Sequence, residues 1–251
     1  MDLIVSPVAL FFALILVLIA LFINLKEKIG LQRDIITSVF RAIIQLTIVG
    51  YILVYIIHVN QIILTLTMVL IIVFNAAWHA KQRAANIEHK FWNSFIAIGV
   101  ATAVTLFILV TTRTIKFIPS QVVPISGMIA GYVMVAVGLC YQSLVVGFKN
   151  YRQAIMERLA LGSSIKQASR VVVKEAIKTG MSPTIDAAKT VGIVSLPGMM
   201  SGLIFAGINP TKAIMYQILV TFMLISSTSI GSIICSYLSY PKFFNQDKQL
   251  K

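Results

Sequence analysis

Long uninterrupted apolar runs decide what this chain can fold into. A membrane-spanning helix needs about 20 mostly apolar residues. Seven stretches meet that requirement, at roughly 7–24, 39–57, 61–78, 92–112, 121–147, 187–208 and 213–238. Charged residues make up 12% of the chain, half the share of about 25% usual for a soluble domain. The fold expected is therefore an all-α integral membrane protein, one membrane domain over residues 1–251. The long polar-containing segment, about 148–186, is too short to be a separate enzyme domain. The first span does not read as a cleaved signal. Its leader "MDLIVS" carries an acid instead of a basic region, and "NLKEK" follows where a small-residue cleavage site would stand.

The formal net charge is +13. Such a balance can mark a nucleic-acid binder, but lysine and arginine also accumulate in the cytoplasmic loops of membrane proteins. With the N-terminus outside, the outer segments hold only Arg113, Lys116 and Lys212 of the 21 lysines and arginines. The others fall on inner segments, in the tail (Lys242, Lys248, Lys251) or at span edges, such as Arg41 and Lys189. The expected topology is seven helices, N-out and C-in, in the cell membrane, with lipid and no nucleic acid as surroundings. Cys140 and Cys235 fall in apolar runs and read as buried thiols.

The inner loop 148–186 has order of its own. Tyr151, Ile155 and Leu159 are four apart on one helical face. Gly162 stands where a left-handed residue closes a helix. Ser164 with Gln167 forms a capping box for a second helix, whose face repeats at Ile165, Ala168, Val172 and Ala176. Gly180 and Pro183 read as its end. A helix–glycine–helix element is expected on the inner side, either docking a partner or lying on the surface as a connector.

Catalytic signatures are missing. The chain has no G-x-x-x-x-G-K-[ST] phosphate loop, no H-E-x-x-H and no G-x-S-x-G. It is read as a non-enzyme, unable to hydrolyse ATP alone. The acids all map to ends, loops or the tail, which argues against a proton-driven carrier. The polar residues inside spans are few. Gln45, Asn75, Gln142 and Gln217 are candidates for interhelical hydrogen bonds or for a substrate path. Gly127 with Gly131, and Ser227 with Gly231, form lean faces suited to packing within the chain or between two copies.

The octet "SLPGMMSG", 195–202, interrupts the sixth span. Proline removes a backbone donor and clashes with the preceding turn. Irregular backbone at membrane depth is tolerated only inside protein or beside a wet cavity. Pro197, Gly198, Met199 and Met200 are therefore substrate-path candidates, the alternative being a simple kink filled by methionine. The two thioethers are weak candidate ligands for a soft metal.

The segments "SVFRAIIQLTIVGYIL", "MIAGYVMVAVGL", "ERLALGSS" and "VSLPGMMSGLIFAGINPTKAIMYQILV" resemble the FetB-like family of ABC transporter permeases. That family is associated with iron export, and its plant relatives with aluminium tolerance. The resemblance implies a homodimer of permeases working beside a separate ATPase chain, which would bind ATP and Mg²⁺. No cofactor is then expected on this chain. "ERLALGSS" is similar to the permease coupling motif E-A-A-x-x-x-G, one residue short between glutamate and glycine and without its later leucine–proline. It assigns coupling to Glu157, Ala160, Leu161, Gly162, Ser163 and Ser164. The function implied is ATP-driven export of iron or another metal ion. The alternatives are an organic cargo such as a sugar nucleotide, or a secondary transporter. A retinal protein is disfavoured, because residues 213–238 contain no lysine.

Overall fold

The computed structural model describes residues 7–84, 87–245, 247, 249 and 250. Lys248, Lys251 and the leader before Pro7 lie outside the described residues. Among the described residues ten α-helices follow in order: α1 Pro7–Lys26, α2 Gln32–Val59, α3 Ile62–Lys81, α4 Lys90–Thr111, α5 Pro119–Asn150, α6 Arg152–Ala160, α7 Ile165–Ala168, α8 Arg170–Thr190, α9 Gly198–Phe205 and α10 Pro210–Ser239. A 3-10 turn, Tyr240–Phe243, closes the series. Among the described residues, six helices are long and apolar enough to cross a membrane: α1 to α5 and α10.

The chain divides into two units. The smaller holds α1, α2 and Phe205–Gly207. α1 is apolar on every side and almost wholly exposed, as a lipid-facing helix should be. The turn after it uses Lys28 and Gly30 at positive φ, and buried Asn24 accepts a hydrogen bond from the Leu31 amide at 3.1 Å.

In the larger unit α5 packs against α3, α4, α8 and α10. The seams are built from small residues, which let helices approach closely where apolar burial gives no driving force. Ala76, Ala77 and Ala80 of α3, Ala97 and Ala101 of α4, and Ala130 and Ala136 of α5 are all buried. Gly138 accommodates the aliphatic stem of Arg83, and Gly231 seats Val133.

One end of this bundle is basic and ringed by aromatics. Trp78 lies under the Lys81 ammonium, 2.9 Å from its ring centroid, and Phe74, Phe91, Trp92 and Phe95 gather around it. Rings at this level are the usual mark of a membrane–water interface. Polar contacts tie the helices together there. The Tyr141 hydroxyl lies 2.9 Å from Ser94 Oγ and donates to the Lys90 carbonyl at 3.1 Å. The Asn93 amide donates to Ser239 Oγ at 3.2 Å. From Pro119 to Tyr141, α5 therefore covers about 33 Å at 1.5 Å per residue, close to a hydrocarbon thickness of about 30 Å. Its last nine residues project beyond the basic end. There Phe148 stacks on Phe243 with centroids 4.3 Å apart, over a second core of Leu144, Ile155, Ala168, Val172 and Ala176.

The structure departs from the sequence reading at α8. The second inner helix does not end at Gly180 and Pro183 but runs through both to Thr190. Nor is it a surface connector: it packs along α5 and α10. A Cβ on Gly147 would stand 2.7 Å from Val172 Cγ1, and one on Gly180 would stand 2.5 Å from Cys140 Sγ. Gly180 is a contact residue here, and its small size looks like a stop signal only in isolation. The expected span 187–208 is likewise not one helix. It comprises the end of α8, an irregular turn over 191–197 and the eight-residue α9. At about 12 Å, α9 is too short to cross alone.

Candidate functional site

The break lies upstream of its expected position. Pro197 does not kink a running helix. It stands just before α9, and its carbonyl accepts from the Ser201 amide at 3.0 Å, within the first turn. Proline is suited to a first helical turn, where its missing donor costs nothing. The helix is interrupted instead by a turn at Gly192, φ +84°, a conformation that residues with a Cβ rarely adopt. The Gly192 amide donates to the Ser195 carbonyl at 2.9 Å, and the Val194 amide to the Thr190 carbonyl at 3.0 Å. The turn thus satisfies part of its own backbone, as a break at membrane depth requires.

Beside this turn is a cavity of about 270 Å³. Thr184, Ala187 and Ala188 of α8, with Val191 of the turn, form one wall, and Met128 and Tyr132 of α5 another. Gln217, Val220, Thr221 and Leu224 of α10 form a third, and Ser195, Pro197, Gly198 and Met199 close it. Three of the predicted path residues, Pro197, Gly198 and Met199, meet here. Gln217 is 6% exposed, and its Oε1 has no hydrogen-bond partner. A buried amide oxygen without a partner carries a desolvation cost of about 1–3 kcal/mol. It is a buried acceptor left without a donor on a residue that lines the cavity.

A second cavity, about 330 Å³, adjoins the first and shares Met128 and Met199 with it. Met223, Ser120, Gln121 and Tyr216 also line it. The thioether pair expected at Met199 and Met200 is therefore not the one formed. Met200 is buried and lines neither cavity, whereas Met199 is joined by Met128 and Met223. Helix periodicity separates Met199 from Met200 by about 100°, so neighbours in sequence face different ways. No signal in the sequence marks Met128 and Met223 as partners of Met199. Among the described residues no group of three or more His, Cys, Asp or Glu gathers into a metal site.

The remaining path candidates lie elsewhere. Gln142 is exposed on α5, past the Tyr141 level, and about 15–21 Å along the helix from the cavity-lining Met128 and Tyr132. Gln45 is exposed on α2, in the other unit. Gln142 does not line the cavity beside the break. Gly231 and buried Ser227 belong to the α10 seam, Gly231 against α5. Gly127 and Gly131 meet nothing within 4 Å of a built Cβ and edge an open groove beside Gly180, Pro183 and Thr184.

The helix–glycine–helix element forms with the expected local chemistry. α6 ends in a Schellman motif: Gly162 has φ +86°, its amide donates to the Leu159 carbonyl, and the Ser163 amide to the Arg158 carbonyl, both at 3.0 Å. Ser164 and Gln167 form the capping box of α7. Ile155 and Leu159 pack inward against the second core, while Glu157, Ala160 and Ser164 are exposed and Leu161 stands 86% exposed at the tip. At the start of α6 the Tyr151 hydroxyl donates to Glu175 of α8 at 3.1 Å, and that bond raises the hydroxyl pKa.

Residues 7–244 match the family described as "Uncharacterised protein family (UPF0014)". The chain is 56% identical over 238 residues to a protein of Escherichia coli strain K12 titled "Probable iron export permease protein FetB", covering 95% of this chain and 92% of that one. It is 37% identical over 238 residues to "UPF0014 membrane protein YjkA" of Bacillus subtilis, covering 95% of each. It is 33% identical over 247 residues to "Protein ALUMINUM SENSITIVE 3" of Arabidopsis thaliana, covering 98% of this chain and 89% of the relative. No solved structure matches the chain. With relatives of this identity over nearly the whole chain, and six helices among the described residues fit to cross a membrane, the protein is a multi-pass membrane protein belonging to the UPF0014 family.

Proposed function

We propose that this chain is the membrane subunit of an ATP-driven exporter of iron or another metal cation, acting as a pair of copies beside a separate ATPase chain. The observation that carries the reading is the broken helix flanking a cavity that holds an unpartnered buried amide oxygen, Gln217 Oε1. Discontinuous helices near the bilayer midplane are where transporters bind their cargo. The E. coli relative's title supplies the cargo class and the direction.

On this reading the chain crosses the membrane seven times, N-out and C-in. The sixth crossing is composite: the second half of α8, the turn at 191–197, and α9. Lysines and arginines then crowd the inner end, in keeping with the positive-inside rule. The element around Gly162 docks on the ATPase, and exposed Leu161 offers it an apolar tip. ATP and Mg²⁺ belong to that partner. The two adjoining cavities receive the cation, with Gln217 and the thioethers of Met128 and Met199 lining the first and Met223 the second.

Co-purification with the ATPase, followed by reconstitution and a transport panel over iron, other metals and a sugar nucleotide, tests the reading. ATP-dependent movement of a metal ion supports it. Transport of the sugar nucleotide alone would transfer the fold to an organic cargo, and transport without any ATPase would make it a secondary carrier.

A further inference from the structure

One face of α8 carries Glu175, Lys178, Ser182, Asp186 and Lys189, spaced three or four apart. The opposite face, Val172, Ala176, Gly180 and Thr184, is buried. A polar outer face is ordinary for a helix in water. This helix does not stay in water. Gly180 stands beside Cys140, and Cys140 is one residue from Tyr141, which marks the basic edge of the apolar slab. Beyond Gly180 the helix moves inward, away from that edge. Asp186 lies about 9 Å and Lys189 about 14 Å deeper, at 1.5 Å per residue. The neighbours agree: Ala187 and Val191 share a cavity with Met128 and Gln217, both well inside their helices.

At that depth Asp186 and Lys189 form an ion pair, Nζ to Oδ1 3.2 Å, with side chains 66% and 69% exposed. An exposed ion pair is commonplace at a protein surface in water. Facing hydrocarbon, it would be charged, open and unsolvated, and polar side chains at membrane depth face the protein interior or water instead. Gln217, whose Oε1 is buried and unpartnered, lines the cavity on the other side of the same segment.

We propose that the outward face of α8 lines a water-filled passage, and that Asp186 is a cation-binding carboxylate in it, with Lys189 occupying that carboxylate while the passage is empty. The cargo assignment rests on the proposed function; the water-filled face does not. A cation in transit displaces the Lys189 ammonium from Asp186 and is handed on towards Gln217. Lys189 then re-pairs when the cation leaves, so the passage never holds a bare carboxylate.

Two measurements on the full chain with its ATPase test this. Single cysteines at Ser182, Asp186 and Lys189 are treated with a hydrophilic methanethiosulfonate reagent; Cys140 and Cys235 are fully buried and stay in place. Buried Ala101→Cys, which lines no cavity described above, and the exposed apolar position Phe107→Cys are controls. The three face positions should react at least tenfold faster than both controls. Rates equal to the controls overturn the passage, because the face is then dry, sealed by protein or lipid. The second measurement is iron(II) transport by Asp186→Asn/Lys189→Gln. A merely structural ion pair is removed without loss when both charges go, so its double variant would transport as the wild type does, overturning the carboxylate's role. The proposal expects the double variant to assemble with the ATPase yet lose transport at least tenfold. A wild-type protein that carries no metal removes the cation assignment along with the reading beneath it, and the thiol rates still decide the passage.

Discussion

Gly180 lies so close to Cys140 that a Cβ on the glycine would stand 2.5 Å from the thiol sulfur, 2.8 Å from Ser232 Oγ and 2.9 Å from the Ala136 carbonyl oxygen. Three elements meet at that point, and α8 enters the apolar slab there because it has no side chain in the way. Cys140 completes the contact by donating from Sγ to the Ala176 carbonyl at 3.4 Å.

Gly180→Val should therefore push α8 off α5. Overpacking of this kind costs about 1–3 kcal/mol. The expected outcome is a lower melting temperature in detergent and faster proteolysis within 170–190. Gly127→Val, at a glycine with nothing within 4 Å of its built Cβ, should change the stability of the isolated chain far less. Equal effects at the two positions would mean that the seam is not held there.

Gly162 has φ +86° with open space around it, so a substitution there strains the backbone without a clash. Gly162→Val costs roughly 1–2 kcal/mol in that conformation, whereas Gly162→Asn tolerates it better. Membrane insertion should be normal in both. Binding of the ATPase, measured by co-purification, should fall with valine and survive with asparagine. Full binding by the valine variant would show that the Schellman turn is only a connector.

The turn at 191–197 separates two causes that the sequence cannot. Gly192→Val should lower transport, because the turn depends on φ +84°. Pro197→Ala should have little effect, since α9 begins there with or without the ring. The opposite order of effects would restore the proline as the origin of the break.

Conversion of Met128, Met199 and Met223 to leucine is nearly volume-conserving, at under about 1.5 kcal/mol per site. The triple variant should fold, and it should transport a soft metal more slowly if thioethers contact the cargo. Met200→Leu should be silent, because that side chain lines neither cavity. A transport loss in Met200→Leu equal to that of the triple variant would separate the cavity from the cargo.

A cysteine at Ser163 should resist an impermeant thiol reagent in intact cells and react once the membrane is opened. Labelling from outside would invert the orientation derived from the lysines and arginines.

Where a helix is both long and apolar, hydropathy located it: the runs at 39–57, 61–78, 92–112, 121–147 and 213–238 all fall within or alongside α2, α3, α4, α5 and α10. Local chemistry was equally readable. Gly162 and the Ser164–Gln167 box depend on neighbours within a turn, and both formed as spelled. α8 was not readable, because a stripe of charges on one face outweighs a small-residue face in any average. Its depth is set by partners 40 and 52 residues away, Cys140 and Ser232. Asp186 consequently read as a loop residue. The same long-range dependence hid the cavity: Gln217 stood out as a polar residue in a span, but its company of Thr184, Ser195 and Met199 exists only after folding.

The extra length of α5 has a mechanical consequence. Tyr141 is pinned at the basic edge by Ser94 and the Lys90 carbonyl, and the helix continues on both sides of that point. Asn150, next to the start of α6, is about 14 Å away in one direction, and the cavity wall at Met128–Tyr132 about 14–20 Å in the other. A stiff rod held at such a fulcrum turns a sideways push on its protruding end into a swing of similar size and opposite sense at the cavity. The stroke arrives almost undiminished, with no gearing down between the two ends.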